Sequence, residues 1–462
     1  MNPQISYDNT SDTVYDPKSP LYWDQSSVDR ELARAFDLCN GCRMCFKYCP
    51  SFPSLFSLMN EKESVLDLTE AEKDKVIGEC YQCKICYVKC PYTDRDHHPY
   101  NLDYPALLQR AVHVKAKKEG VSIRDKFLQN ADIAGKTAGL IAGLANRALN
   151  SNFHRRIMEA ILGIHRNKKM PEFHKTSFAK WFKGRMGPRE KAELAAVKEE
   201  SASAADKVAL FATCFVNYNN PELGQDTVEV LEKNKVEVVV PDQNCCGMPG
   251  LNTGDVAWAV ERMSKNVESL FPYARDGYKI LAINPTCSLT LKKDLVPFLP
   301  EEMRAKAEVV SKATMDVHEY LFELKKQDKF NRNFESTPGK VAYHVPCHLR
   351  AQNIGFRSRD MLRLIPGAEI GVVDECCGHN GTWAMKEEYF EMSLEAGKRA
   401  FEGIKEKESN QVATDCPLAA IQIEQGLGLE SRPDHPVQIL ARAYRKPGAG
   451  GFSAPVAKEE AK

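Results

Sequence analysis

The chain has 462 residues, 43% hydrophobic and 27% charged, enough for two to four domains that each bury a core. Its 63 basic side chains balance 63 acidic ones, so global charge singles out no nucleic acid, membrane or acidic substrate as a partner. The first residues, MNPQISYDNTSDTVYD, lack the basic and apolar regions of a secretory signal. The longest weakly polar stretch, Ile133 to Ala145, contains Lys136 and is too short to cross a bilayer. The expectation is a cytoplasmic protein with no transmembrane helix. There, sixteen cysteines point to metal ligation rather than disulfides.

Residues 1–28 are polar, carry Pro17 and Pro20, and predict an extended lead-in that wraps a neighbouring surface. Residues 29–105 predict a helical domain built around two cysteine runs. The helix VDRELARAFDLC, with Ser27 or Asp29 as N-cap, delivers Cys39; the helix TEAEKDKVIGEC, capped by Thr69, delivers Cys80. Each opens a C-x2-C-x2-C-x3-C-P run: Cys39, Cys42, Cys45 and Cys49-Pro50, then Cys80, Cys83, Cys86 and Cys90-Pro91. At this cysteine content, one such run has a chance of roughly one in a million per start position, so two are not accidental.

Three thiolates in a tight turn grip three corners of a cubane, and the fourth corner needs a ligand from elsewhere. The runs resemble those of bacterial two-cluster ferredoxins, where the proline-preceding cysteine crosses over. That resemblance assigns Cys39, Cys42, Cys45 and Cys90 to one 4Fe-4S cluster and Cys80, Cys83, Cys86 and Cys49 to another. Paired zinc knuckles are the alternative, opposed by the third cysteine and the x3-C-P ending.

Residues 106–197 predict a helical connector, with Ile133, Leu140, Ile141, Leu144 and Ala148 on one stripe. Between Arg147 and Ala192, twelve Lys/Arg stand against three Glu, interleaved with Phe173, Phe178, Trp181 and Phe182. That mixture suits an anionic membrane surface or, equally, a solvated helical face; no motif supports nucleic acid. Residues 198–207 read as a linker and 446–462, with GAGG, as a flexible tail.

Between them lies a repeat. VALFATC, VEVVVPDQNCCG and ILAINPTC in residues 208–332 correspond to VAYHVPC, IGVVDECCG and QVATDC in residues 333–445, offset by about 130 residues and interspersed with helices from Pro221, Asp255, Arg357 and Glu387. Two α/β units with parallel sheets follow, making an α+β multidomain chain. Cys214, Cys245, Cys246 and Cys287 then sit at strand ends, as do Cys347, Cys376, Cys377 and Cys416, where open sheets place binding sites. Thiolates converging from three strands make a soft-ligand site for one further iron-sulfur cluster per unit, with Gly247 and Gly378 letting backbone approach the metal; buried structural cysteines are the plain alternative. His344, His348 and His379 beside these cysteines, and His97-His98 after Cys90, read as polar loop histidines rather than ligands. No nucleotide, flavin or nicotinamide fingerprint and no G-x-S-x-G is present, so no catalytic residue is assigned.

Eight N-terminal cysteines followed by two CCG-bearing units resemble the heterodisulfide reductase-related cysteine-rich proteins. CFVNYNNPELGQD, QNCCGMPG and AYHVPCH are similar in particular to the iron-sulfur subunits of anaerobic glycerol-3-phosphate dehydrogenases. The resemblance implies an electron-transfer subunit, peripheral on the inner face of the cell membrane, that passes electrons from a separate flavin-containing dehydrogenase toward quinone or another acceptor. It departs from the family's C-x-x-C ending, because Thr290 and Ala419 stand where a fifth cysteine would. That departure weighs against the alternative, an enzyme cleaving disulfides at its CCG metal sites.

Overall fold

A computed structural model describes residues 5–185 and 206–452. Asp24, rather than Ser27 or Asp29, caps the first long helix, Gln25–Cys42, its carboxylate accepting from the Ser27 N–H at 2.7 Å. An upstream acidic residue with extended backbone is all an N-cap needs. The helix runs on past Cys39 to Cys42 and stops where Arg43 turns left-handed at φ 53°. Its buried stripe Val28, Leu32, Ala35 and Phe36 meets Phe52, Leu55 and Phe56 of Ser51–Glu61 and Leu107 and Leu108 of Tyr104–Glu119. Each such side chain contributes about 1.5–3 kcal/mol. The last helix crosses the boundary expected at residue 105 because its apolar face completes this core. The helix Glu70–Gly78 is capped as expected by Thr69, in a reciprocal box with Glu72.

The lead-in lies along this helical core. Arg110, fully buried, donates to the carbonyls of Asp12 at 2.8 Å and Tyr22 at 2.9 Å, and Arg34 donates to Tyr7 O at 2.7 Å. The connector forms Ile123–Gln129, Ala131–Leu140, Ala142–Asn150, Asn152–Leu162 and Phe178–Gly184. Most of the linker and of the tail expected from sequence falls outside the described residues.

The first α/β unit holds β1 (Asp206–Phe211), β2 (Val236–Val239), β3 (Lys279–Ala282) and β4 (Thr314–Asp316), all parallel in the order β2-β1-β3-β4. The second holds β5 (Lys340–His344), β6 (Glu369–Val373) and β7 (Gln411–Thr414), parallel in the order β6-β5-β7. In both, the first strand is central and the chain reverses direction beside it, which opens a crevice at the carboxyl ends of the strands. The short strand β4 is an addition that the repeat did not predict. One apolar core joins the units: Val208, Leu210 and Leu281 pack in the same cluster as Val341, Tyr343 and Ala413.

Candidate metal centres

Both N-terminal runs fold into tight turns whose residues Arg43, Gln82 and Lys84 adopt positive φ, aiming successive cysteines inward. Cys39, Cys42, Cys45 and Cys90 line one cavity together with Leu38, Phe52, Phe56 and Leu102. Cys49 lies within electrostatic reach of Cys80 and Cys83, and Cys86 of all three. The crossing of Cys90 and Cys49 between runs is therefore present in the fold. Burial pushes the Cys45 thiol up to about 12 and the Cys80 thiol up to about 11. Opposing that, backbone N–H groups of Ser51 and Phe52 point at Cys49, Gln82 at Cys80, Ile85 at Cys83 and Tyr92 at Cys90. Buried sulfurs with donors aimed at them are prepared to be thiolates once a cation compensates the charge.

In the first α/β unit, Cys214 follows β1 in the helix Thr213–Tyr218, Cys245 and Cys246 follow β2, and Cys287 follows β3 in the helix Pro285–Leu289. Their sulfurs form a chain, Cys214 to Cys245 to Cys246 to Cys287; hydrogen bonding to Cys245, then burial, pushes Cys214 well up. In the second unit, Cys347 follows β5, Cys376 and Cys377 follow β6, and Cys416 follows β7 as N-cap of Pro417–Leu427. Cys347, Cys377 and Cys416 line a cavity with His348, His379 and Ala419.

The four groups lie within electrostatic reach of one another in sequence. Cys86 feels Cys45, Cys83 feels Cys376, Cys347 feels Cys83, and Cys287 feels Cys416. Among the described residues, no three cysteine sulfurs lie within 4.8 Å of one another.

A 4Fe-4S dicluster domain family matches residues 32–96, and a cysteine-rich domain family, named for its CCG motif, matches twice, at 208–292 and 341–424. The chain thus joins a 4Fe-4S dicluster domain to two CCG cysteine-rich domains. Among similar proteins, a subunit of the anaerobic glycerol-3-phosphate dehydrogenase of Escherichia coli K12 is 28% identical over 413 residues, covering 88% of this chain and 98% of that protein. A subunit of the CoM/CoB fumarate reductase of Methanothermobacter marburgensis is 30% identical over 248 residues, covering 52% of this chain and 46% of its own. Lactate utilization protein A of a Geobacillus strain is 29% identical over 186 residues, 39% of this chain and 75% of its own.

The glycines of the two CCG motifs are also required by packing. Gly247 and Gly378 are left-handed, at φ 96° and 73°, and close against the next helix: a Cβ on Gly378 would lie 1.9 Å from Ser393 O of Phe390–Lys405. Thr290 turns its hydroxyl back to Thr286 O at 2.9 Å and opens a π-helical segment, Thr290–Asp294, while Ala419 is buried. Neither unit offers a fifth sulfur at these positions.

The CCG-site histidines are buried rather than polar loop residues, and His97 stays exposed. His344 bonds Thr414 Oγ1 at 3.0 Å and Glu375 O at 3.1 Å; His348 bonds Thr286 Oγ1 and Gln82 O, both at 3.0 Å. Burial holds both near pKa 4, so both are neutral. A buried trio, His318, Asp415 and His435, could hold a metal ion by proximity. His435 has no nitrogen to spare, since Nδ1 accepts from Val437 N–H at 3.2 Å and Nε2 donates to Ile283 O at 3.1 Å. The trio is a buried post between the units, with His318 Nδ1 3.3 Å from Asp415.

Three residues around the CCG sites escaped the sequence reading. Thr213, before Cys214, sits at φ 76°, a strained conformation for a β-branched residue, held by Gln243 accepting its N–H at 3.1 Å. Lys168 is buried beside Cys377, hydrogen-bonded to Gln422, and burial brings its pKa down to about 7. Tyr81 places its hydroxyl 2.9 Å from the sulfur of Cys376. Only a left-handed threonine beside a cysteine carries a local signal; the other two depend on distant contacts.

Proposed function

We propose that the chain is an electron-transfer subunit that takes electrons from a separate, flavin-containing dehydrogenase of the glycerol-3-phosphate type and passes them toward quinone or another acceptor. The observation that carries this reading is the unbroken succession of four cysteine groups through the molecule. Cys39, Cys42, Cys45 and Cys90 would hold one 4Fe-4S cluster and Cys80, Cys83, Cys86 and Cys49 the second. Cys347, Cys376, Cys377 and Cys416, and then Cys214, Cys245, Cys246 and Cys287, would hold one further cluster each. Iron-sulfur clusters supply reversible one-electron exchange. The chain's own part is to exclude water with Phe52, Phe56 and Leu102, and to aim N–H groups at the sulfurs.

Both ends of the succession suit partners. Met44 and Phe46 are exposed between the ligands of the first N-terminal site, a natural contact for a dehydrogenase. Near the far end, helix Ala131–Leu140 sets Asp132 beside Cys214 and turns Ile133 and Leu140 outward. Nine of the thirteen exposed large apolar side chains among the described residues fall between Ile123 and Ile161. Exposed charges there, Lys126, Lys136, Arg147 and Arg156, are all basic, while Asp125, Asp132 and Glu159 pair with Lys386, Arg262 and Arg166. That face, rather than the aromatic segment singled out from sequence, favours peripheral attachment to an anionic membrane. Phe178, Trp181 and Phe182 instead pack into the core of the first CCG unit. No helix among the described residues is long and apolar enough to cross a bilayer.

Without a fifth sulfur at Thr290 or Ala419, disulfide cleavage at the CCG sites has no structural feature in its favour. Iron and acid-labile sulfide on anaerobically purified protein test the relay: about sixteen irons per chain are expected, about eight would confine the chemistry to the N-terminal pair, and zinc in place of iron would overturn it. For attachment, co-sedimentation with phosphatidylglycerol vesicles, lost in an Ile141→Glu/Leu144→Glu variant, is the expected outcome; equal binding by that variant would reject this face.

A further inference from the structure

Tyr81 belongs to the turn that supplies Cys80 and Cys83, yet its hydroxyl reaches into the other half of the molecule. The oxygen lies 2.9 Å from Cys376 Sγ and 2.9 Å from the carbonyl of Tyr48, the residue before Cys49. The side chain is 2% exposed, so no water competes for either contact. The second CCG unit clasps this turn firmly: Asn380 Nδ2 donates to Tyr81 O at 2.6 Å, the Trp383 ring lies 4.8 Å from the Tyr81 ring, and Trp383 Nε1 donates to Gly78 O at 2.8 Å. Tyr389 in turn stacks on Trp383, with centroids 4.7 Å apart and planes 12° from parallel. The hydroxyl is therefore held at the sulfur by packing on several sides.

A phenol carries one proton, and its neighbours decide where that proton points. The Tyr48 carbonyl can only accept. If Cys376 is a thiol, its own proton can go to Tyr81, whose hydroxyl then serves Tyr48. A metal-bound thiolate has no proton to give, and two lone pairs facing each other at 2.9 Å would repel. With Cys376 acting as a ligand, the Tyr81 hydroxyl is the donor to sulfur, and the Tyr48 carbonyl keeps at most a shared bond. Gly378 N–H supplies the sulfur's other donor at 3.2 Å.

We propose that Tyr81 is a tuning residue of the second CCG site: from the turn of the neighbouring N-terminal site, its hydroxyl donates to the sulfur of Cys376 and sets that site's reduction potential across the domain boundary. Hydrogen bonds to ligand sulfur stabilise the more negative, reduced state and raise the potential. Cys376 also lies within electrostatic reach of Cys83, so the bond joins two sites that already sense each other. The first CCG site gains its hydrogen bonds to sulfur from its own cysteines and nearby backbone, so this tuning is private to the second.

The proposal rests on Cys376 being a cluster ligand, and its test separates the two ideas. Redox titration followed by EPR on the full chain would first identify the second-site signal as the one lost in Cys377→Ser. In Tyr81→Phe that signal should titrate at a lower potential, with the reduced-to-oxidised ratio at fixed potential down about threefold to tenfold. Iron content and the N-terminal signals should match the unsubstituted protein. Incorporation of 3,5-difluorotyrosine at position 81, a stronger donor of nearly the same shape, should move the signal the opposite way. That sign reversal is beyond a packing effect and holds the test open if the Phe variant loses iron. Unchanged midpoints in both substituted proteins would overturn the tuning role alone, whereas absence of any signal sensitive to Cys377→Ser would overturn the ligand reading and the tuning role together.

Discussion

The two CCG units have the same central strand, the same crossover and the same four cysteine positions, yet the charges around their sulfurs differ in sign. Asp132, from the connector helix Ala131–Leu140 and paired with Arg262 at 3.5 Å, faces Cys214 in the first. Lys168, threaded in from the basic part of the connector, faces Cys377 in the second, and Tyr81 adds a hydroxyl. A duplicated sheet thus supplies the sulfurs, and the N-terminal half makes the copies unequal. Two identical stations in series give no direction; two stations with different surroundings do.

The largest test of that contrast removes one ligand at a time. Cys246→Ser and Cys377→Ser should each lower iron by about four per chain and leave the other unit loaded, measured by iron and sulfide analysis. Loss of both clusters from either single change would show the units to be one interdependent site.

Backbone crowding should separate the copies next. A Cβ at Gly378 meets a carbonyl oxygen at 1.9 Å, and one at Gly247 meets its nearest at 3.1 Å. Gly378→Ala should destabilise its unit by about 3–5 kcal/mol, against about 1–2 for Gly247→Ala, where left-handed strain is the main cost. Hydrogen exchange in Phe390–Lys405 and Val256–Arg275 reads each locally, and equal losses would contradict the difference.

Acid probes how the units are held to the N-terminal half. His113 accepts from the Tyr22 hydroxyl and donates to Leu251 O of the first unit, both at 2.7 Å, and burial holds its pKa near 4. An unfolded histidine takes its proton near pH 6.5, so between about 6.5 and 4 the open form binds more protons. Stability from this clamp is complete above about pH 6.5 and falls by about 2–4 kcal/mol as pH drops to about 4. Hydrogen exchange around Leu251 at pH 7 and pH 5 should show the loss, with the Trp383 clasp of the second unit as reference; His113→Gln should flatten it.

The smallest expected effects have opposite signs. Lys168→Met should lower the potential of the second CCG site and Asp132→Asn should raise that of the first, each by about 1–2 kcal/mol in the redox equilibrium. Shifts of the same sign in EPR-monitored titrations would break the contrast.

Sequence made the sulfur framework legible because spacing and repetition are properties of the chain itself. The two cysteine runs, the strands β1 to β3 and β5 to β7, and the cap at Thr69 were readable for that reason, whereas the crossing of Cys49 and Cys90 came from the resemblance to two-cluster ferredoxins. Surroundings were not. Lys168 meets Gln422 and Tyr81 meets Cys376, pairs more than 250 residues apart, and no local pattern marks either. Phe178, Trp181 and Phe182 looked like a surface face because aromatics among lysines fit an interface, but the first unit had a groove at Gly224 for Phe178 to fill. Leu140, Ile141 and Leu144 read as one stripe of a helix, and the period alone does not say what covers them; among the described residues they stay exposed.

The clasp on the turn at Tyr81 has a consequence for biogenesis. Asn380, His348 and Trp383 close over a loop whose Cys83 is buried and whose neighbour Cys86 is buried with it. Metal delivered from outside has to arrive while the two halves are still apart, because afterwards the second CCG unit is the lid. For the site that Cys83 and Cys86 would serve, maturation is then a matter of order, with docking of the second CCG unit sealing what has been delivered.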